Sequence, residues 1–227
     1  MDKNFSNFEK KIGIKFKNSD LLCQVFVHRS FLNENPSFKL EHNERLEFLG
    51  DAVLELITTE YLYKNFPNPE GELTNWRSAL VKGEMLAKVA GDLAMSDYLY
   101  LSRGEAKSGG KGRQIIMANA LEALIGAIYL DQKMEKAKDF VNRYILGHLP
   151  EILELGLHVD AKSRLQELVQ EREGFTPNYR VIGESGPDHD KRFIVGVFVN
   201  DRMIGEGAGA SKQAAEQVAA SKALERY

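Results

Sequence analysis

The sequence predicts an all-α domain followed by a small α+β domain of order α-β-β-β-α. Three observations lead there. Apolar residues recur with a helical period through residues 1 to about 150, with no convincing period-two strand among them. After Pro150 the pattern changes, and Phe193-Ile194-Val195-Gly196-Val197-Phe198-Val199 is β-branched and aromatic, as strands are. Helical segments flank that strand-forming region on both sides.

Amphipathic helical segments are expected near Phe5–Ile12, Asp20–Ser30, Glu41–Asn65, Thr74–Leu93, Met117–Leu130 and Met134–His148. Turns are expected at Asn33–Ser37, Pro67–Gly71 and Arg103–Gly112. The last is Gly-rich and basic, and reads equally as a mobile loop or as one that meets a polyanion. In the second domain a helix is expected over Ala161–Arg172 and strands at Tyr179–Val181, Phe193–Val199 and Met203–Ala208. Asn200-Asp201 makes a tight turn, and a closing helix runs over Ser211–Arg226 with Ser211 as its N-cap. The expected division is 1–149 for the first domain, 150–159 for a linker and 160–227 for the second domain.

The chain has 227 residues, 43% hydrophobic and 28% charged, enough for one large domain or two small ones. Its mean hydropathy is -0.34. Cys23 is the single cysteine, which rules out an internal disulfide and a multi-thiolate zinc site; its apolar neighbours make it a core residue. No apolar signal segment opens the chain. The longest apolar stretch, near Ala120–Leu130, is interrupted by Glu122, so no membrane span and a cytoplasmic location are expected. Net charge is -3, and residues 160–227 alone carry 10 Lys and Arg against 11 Asp and Glu. A polyanionic partner would therefore have to be met by local rather than global positive charge.

The most informative segment is Asn43-Glu44-Arg45-Leu46-Glu47-Phe48-Leu49-Gly50-Asp51-Ala52-Val53-Leu54. On a helix, Glu44, Glu47 and Asp51 fall within roughly 60° of one another, and Leu46, Leu49, Val53 and Leu56 take the opposite face. Phe48 and Leu54 flank the acids, so the edges of the stripe are apolar. Crowded carboxylates beside apolar walls are poorly solvated, and a bound cation is one way to relieve that cost. On spacing alone, such a face and a solvated Glu-rich face are equally good readings. A second pair, Asn119 and Glu122, shares a helix face at i, i+3, among small residues (Ala118, Ala120, Ala123, Ala127) that permit close helix approach. Two helices that each offer two oxygen side chains suit Mg²⁺, which prefers hard oxygen ligands.

These segments resemble the ribonuclease III family, endonucleases that cut double-stranded RNA. The match is nearly complete over Asn43–Leu54 and again over Ala118–Ala127. The resemblance implies four catalytic and metal-holding positions: Glu47, Asp51, Asn119 and Glu122. Asn119 departs from the pattern, because the family usually carries Asp there. The centre then has a formal charge of -3 rather than -4, which lowers metal affinity. Three readings stay open for Asn119: an active variant, an introduced change, or a chain that binds duplex without cutting it.

The resemblance further implies Mg²⁺, with Mn²⁺ as a substitute, and metal-assisted phosphodiester hydrolysis leaving a 5′ phosphate and a 3′ hydroxyl. It implies rRNA and mRNA precursor processing, a homodimer with Phe48 packing across its interface, and Glu44 and Glu70 near the scissile strand. No small-molecule substrate is implied. Val27-His28-Arg29-Ser30 also resembles the family, apart from Val27, and reads as structural.

Residues 160–227 resemble the double-stranded RNA-binding domain, in Ala161–Glu167, Gly186–His189 and Gly209–Glu216. Ser163, Gln166 and Gln170 form one polar stripe on the first helix, beside Glu167, with donors suited to 2′-hydroxyls in the shallow minor groove. The loop with His189 and Lys191 would reach a second minor groove. Ser211, Lys212 and Gln213 open the last helix toward the phosphates between. Gln213 stands where the family often has a second basic residue, which predicts a weaker phosphate clamp. The alternative to an active nuclease is a double-stranded RNA-binding protein with an impaired centre. A third reading is a helical interaction domain fused to an RNA module.

Overall fold

The computed structural model describes residues 3–154, 161–187 and 191–226. The chain divides into two compact units, Met1–His158 and Val159–Tyr227.

The first unit is helical. Its helices are α1 (Ser6–Ile12), α2 (Ser19–Val25), α3 (Arg29–Glu34), α4 (Glu44–Asn65), α5 (Glu70–Val81), α6 (Gly83–Asp92), α7 (Arg103–Lys107), α8 (Gly110–Tyr144) and α9 (Leu149–Glu154). Its only β feature among the described residues is a parallel bridge between Val27 and Tyr100. The expected segment Asp20–Ser30 is two helices, α2 and α3. Thr74–Leu93 is also two, α5 and α6, separated at Lys82, whose ψ of 144° is extended. α8 is broken at Lys133, with φ 72°, between the two segments the periodicity distinguishes. The break lies beside an anchor: the Asp131 carboxylate accepts hydrogen bonds from the backbone N–H of Lys17 and Asn18, both at 2.9 Å.

Two expected turns are corrected. Arg103–Gly112 contains α7, capped by the Ser102 side chain, and the first turn of α8. Glu70 opens α5 rather than sitting in a turn, with Pro69 as the N-cap residue. Of the linker expected at 150–159, residues through Glu154 form α9, with Ile152 buried in the first core, and the remainder lies outside the described residues.

The centre of this unit is the crossing of α4 and α8. Leu54, Ile57 and Leu62 from α4 meet Leu121, Leu124, Ile125 and Ile128 from α8 in one core, with Leu86 and Val89 of α6 behind them. Gly50 and Gly126 make the crossing close. A Cβ on Gly50 would overlap the Glu122 carbonyl and lie 2.9 Å from the Gly126 nitrogen; one on Gly126 would overlap the Leu46 carbonyl. α4 is fixed at its start by Asn43, which is 3% exposed. Its side-chain amide donates to the Val25 carbonyl and its backbone N–H to the Val27 carbonyl, both at 2.9 Å. These bonds offset the cost of burying a polar side chain and set where Glu44 begins the helix. By length and composition the helical stretch Gly110–Glu154 could cross a membrane, but 61% of its apolar window is buried inside the unit, as in a core helix.

The second unit has α10 (Ala161–Glu173), β1 (Asn178–Ser185), β2 (Arg192–Val199), β3 (Arg202–Gly209) and α11 (Lys212–Leu224). The strands form an antiparallel sheet of order β1-β2-β3. Val197 and Val199 pack with Leu165 and Val169 of α10 and Ala219, Ala220 and Ala223 of α11. Gly205, Gly207 and Gly209 alternate along β3 where it meets α11; a Cβ on Gly209 would lie 2.6 Å from the Ala215 nitrogen. The α-β-β-β-α order is that expected from sequence.

Candidate active site and nucleic-acid interface

Residues Glu44, Glu47 and Asp51 line one flank of α4, and Asn119 and Glu122 face them from α8, across the Gly50–Gly126 contact. Asp51 and Glu44 are exposed, while Glu47, Asn119 and Glu122 are half-buried. The acids sense one another. Burial pushes the Glu122 carboxyl up to about 7, and the charges of Asp51 and Glu47 push the same way. Glu47 is raised by burial first, then by the charges of Glu44 and Asp51, while a hydrogen bond from the Asn119 side chain opposes the rise.

Glu44 stands at the rim. Arg29 lies 3.5 Å from its carboxylate and the His42 Nδ1 3.8 Å away, too far for a hydrogen bond. The His28 ring pKa is lowered by burial, against the charges of Glu105 and Glu44. The ring instead accepts from the Ser30 backbone N–H, capping α3.

Among the described residues, no group of three or more His, Cys, Asp or Glu side chains is close enough to hold an ion unaided. The centre nevertheless fits a hard divalent cation in its donor chemistry. It offers three carboxylates and one amide oxygen, and Glu122 carries an electrostatic cost that a cation removes.

Glu70 is not among the charges acting on Glu47 or Glu122. It lines a separate recess of about 470 Å³ between α4 and α5, with Thr59, Tyr63, Leu73 and Arg77. Arg77 closes this side by pairing with Glu55 at 3.2 Å and donating to Thr59 at 3.0 Å.

Phe48 is 82% exposed, which removes an ordinary core role. It begins a ridge along α4 that continues through Ala52, Leu56 (57% exposed), Thr59 and Tyr63 (79% exposed). These five lie within roughly 80° of one another on the helix. Placing Leu56 on the buried face is thus corrected: it lies about 80° from Leu46, at the edge of that face. Tyr63 and Leu56 are missed by sequence reasoning, although their spacing from Phe48 (i, i+8, i+15) carries the signal. Phe48 also borders a recess of about 680 Å³ with Leu21, Gln24, His42, Leu49 and Leu130.

In the second unit, Ser163, Gln166, Glu167 and Gln170 are exposed on α10, with Leu165 and Val169 fully buried behind them. Ser163, Gln166 and Gln213 come together in a polar recess of about 270 Å³ that also includes Lys162, Tyr179 and Gln217. Lys162 joins the two helices, lying 2.6 Å from Glu216 and 4.9 Å from the Tyr179 ring. The Ser211 hydroxyl caps α11 by accepting from the Ala214 N–H at 3.1 Å. Lys191 and Lys212 both stand by the Phe193 ring, at 5.7 and 5.8 Å, and Lys191 also pairs with Glu184 at 2.6 Å. His189 lies outside the described residues.

Comparison with known proteins agrees with both units. Residues 18–149 match the family described as Ribonuclease-III-like, and residues 161–227 the Double-stranded RNA binding motif. Ribonuclease 3 of Dehalococcoides mccartyi is 43% identical over 99% of this chain and 95% of its own length. Ribonuclease 3 of Carboxydothermus hydrogenoformans is 46% identical over 99% of this chain and 97% of its own. A solved nuclease domain of ribonuclease III from Campylobacter jejuni, described for flexibility in a region involved in dimer formation, is also similar. It is 40% identical with a TM-score of 0.59, over 65% of this chain and 99% of that one. With a helical nuclease unit, a duplex-RNA-binding unit and relatives over nearly its whole length, this chain belongs to the ribonuclease III family of endoribonucleases.

Proposed function

We propose that the chain is a Mg²⁺-dependent homodimeric endoribonuclease, with Mn²⁺ as a substitute, that hydrolyses phosphodiesters of double-stranded RNA and leaves 5′ phosphate and 3′ hydroxyl ends. One observation carries the reading. Glu47 and Asp51 of α4 face Asn119 and Glu122 of α8 across a glycine-tight crossing, where burial first, and then the charges of Asp51 and Glu47, hold the Glu122 carboxyl up to about 7.

Glu47, Asp51, Asn119 and Glu122 would hold the ion. When bound, a divalent cation there supplies Lewis-acid activation of water and stabilises charge on the leaving 3′ oxygen. The buried flank formed by Glu47 and Glu122 keeps these donors poorly solvated, which favours their deprotonation only when positive charge is near. Arg29 and Glu44 lie at the rim, where Glu44 would face the scissile strand. Glu70 would do so from its place at the start of α5.

In the second unit, Ser163, Gln166 and Gln170 would meet 2′-hydroxyls, while Lys212 and the first turn of α11 would meet phosphates. Glu167 and Gln213 border that contact, and Lys191 would join it from the edge of β2. The exposed ridge from Phe48 to Tyr63 supports self-association, because an apolar row of this length is rarely left in water. The reading extends to rRNA and mRNA precursors as substrates and to the cytoplasm as compartment.

The test is cleavage of a long labelled duplex with Mg²⁺, with a single strand as control, by this chain and its Glu122→Gln and Asn119→Asp forms. Duplex-specific cutting lost in Glu122→Gln supports the reading. Cutting by the Asn119→Asp form alone, with equal duplex binding, would make this chain a binding form. No cutting by any of the three would sink the assignment of the centre.

A further inference from the structure

We propose that Lys162 and Glu216 form a strut between α10 and α11 that sets the spacing of the duplex-facing residues on the two helices, so that Lys162 is a positioning residue and not a phosphate ligand. The inference rests on reading Ser163, Gln166 and Lys212 as contacts to duplex RNA. It concerns what holds those contacts at the right separation.

The two helices meet in two different ways. Leu165 and Val169 of α10 share an apolar core with Ala219, Ala220 and Ala223 of α11. Nearer the start of α11 a polar recess of about 270 Å³ separates them instead. It is lined by Lys162, Ser163 and Gln166 of α10, Gln213 and Gln217 of α11, and Pro177 and Tyr179. An open recess supplies no close packing to fix the distance across it.

Lys162 crosses that gap. Its ammonium donates to the Glu216 carboxylate at 2.6 Å and lies 4.9 Å from the Tyr179 ring of β1, so one side chain ties three elements. The Lys162 side chain is 33% exposed and that of Glu216 25%, so solvent and salt screen the pair less than one on the open surface. Each end lies one helical turn from a residue assigned to RNA. Lys162 stands four residues before Gln166, and Glu216 four after Lys212.

The pairing also decides what Lys162 does not do. In contact at 2.6 Å, the two opposite charges largely cancel at longer range, so Lys162 adds little to the field that a phosphate meets. Its contribution to affinity is geometric. A duplex offers its minor-groove hydroxyls and its phosphates at fixed separations, and helices already held at the matching distance bind without first being ordered.

The test is duplex binding by the full chain in chelator, to suppress cutting, measured by fluorescence anisotropy at several salt concentrations. The forms are this chain, Lys162→Met, Glu216→Gln, and the exchange that combines Lys162→Glu with Glu216→Lys. Each single change should weaken binding about three- to tenfold, the range of one ordinary hydrogen bond, with the slope of log affinity against log salt unchanged. The exchange should recover most of that loss. Val199→Ala, a core change away from the recess, should lower Tm yet leave affinity within about twofold of this chain's, which separates positioning from general stability.

Equal or tighter binding by Glu216→Gln overturns the strut, because that is what a lysine released toward phosphate would give. A slope reduced by about 1 in Lys162→Met overturns it too, because Lys162 would then neutralise a phosphate itself. So does an exchange form as weak as the single forms, or an equal loss in Val199→Ala. Ser163→Ala and Lys212→Ala separate this from failure of the underlying reading. If they also bind like this chain, α10 and α11 do not face the duplex; if they alone lose affinity, only the strut is overturned. Should a single form lose its circular dichroism, Glu216→Asp decides, since it keeps the charge and shortens the reach. Weaker binding at unchanged slope then upholds the strut, and unaltered binding overturns it.

Discussion

Gly50 of α4 and Gly126 of α8 pack backbone to backbone, and neither has room for a Cβ. The candidate centre sits on this contact, because Glu47 and Asp51 flank one glycine and Asn119 and Glu122 precede the other. Gly126→Ala should cost about 1–3 kcal/mol or more, the range for forcing a methyl into a packed core. The opposed atoms are main chain and cannot rotate away. Urea unfolding should show the loss, and duplex cleavage should fall further than stability does, because the two donor pairs move apart.

The pH dependence follows from Glu122. Its folded pKa, about 7, lies above the ordinary value of 4.5, so the folded state favours the proton. The contribution to stability is complete below pH 4.5 and is lost as pH rises through about 7. Glu47 is shifted in the same direction. In chelator, Tm should therefore decline across this interval, and Glu122→Gln should flatten the decline. Metal affinity should run the other way and increase with pH, because an ion competes with the proton for the same oxygens. A Tm profile in chelator unchanged by Glu122→Gln would contradict this account.

Phe48→Asp should weaken self-association without unfolding the unit, because the ring makes no core contact at 82% exposure. Sedimentation velocity over a dilution series should show a shift toward monomer, with circular dichroism unchanged. Tyr63→Asp should act in the same direction if the whole ridge is covered.

In the second unit, Gln166→Ala and Ser163→Ala should each weaken duplex binding, by roughly 1 kcal/mol as for an ordinary lost hydrogen bond. Their salt dependence should be unchanged. Lys212→Ala should weaken binding too, but should also reduce the slope of log affinity against log salt by about 1. Fluorescence anisotropy at several salt concentrations separates the two kinds of contact.

Much of this was legible in the sequence. Apolar periodicity located α4 to within three residues at its start, and it separated the two parts of α8 at Lys133, where the chain does break. The β-branched run at Phe193–Val199 marked β2. The acids of α4 were readable because helical geometry alone brings i, i+3 and i+7 together. Other features were hidden for physical reasons. α7 and the first turn of α8 lie in a stretch of Gly, Lys and Ser with no apolar rhythm, so capping and tertiary contacts decide it. The break at Lys82 is marked in sequence only by Gly83, a lone glycine inside a continuing apolar rhythm, and that is a weak boundary signal. The contact of Gly50 with Gly126, which brings the two donor pairs together, joins residues 76 apart and exists only once the two helices meet.

α4 carries three rows at once: acids toward α8, leucine and isoleucine toward the core, and an aromatic ridge toward water. Each residue advances the helix by about 100°, so one inserted or deleted residue turns everything beyond it by more than the angle between neighbouring rows. Substitutions along α4 can be graded and local, but a change of length before Asp51 would carry an acid into the core or a leucine into the centre. This helix is accordingly far more constrained in its number of residues than in their identity, and indels here should abolish folding or the centre where many point changes do not.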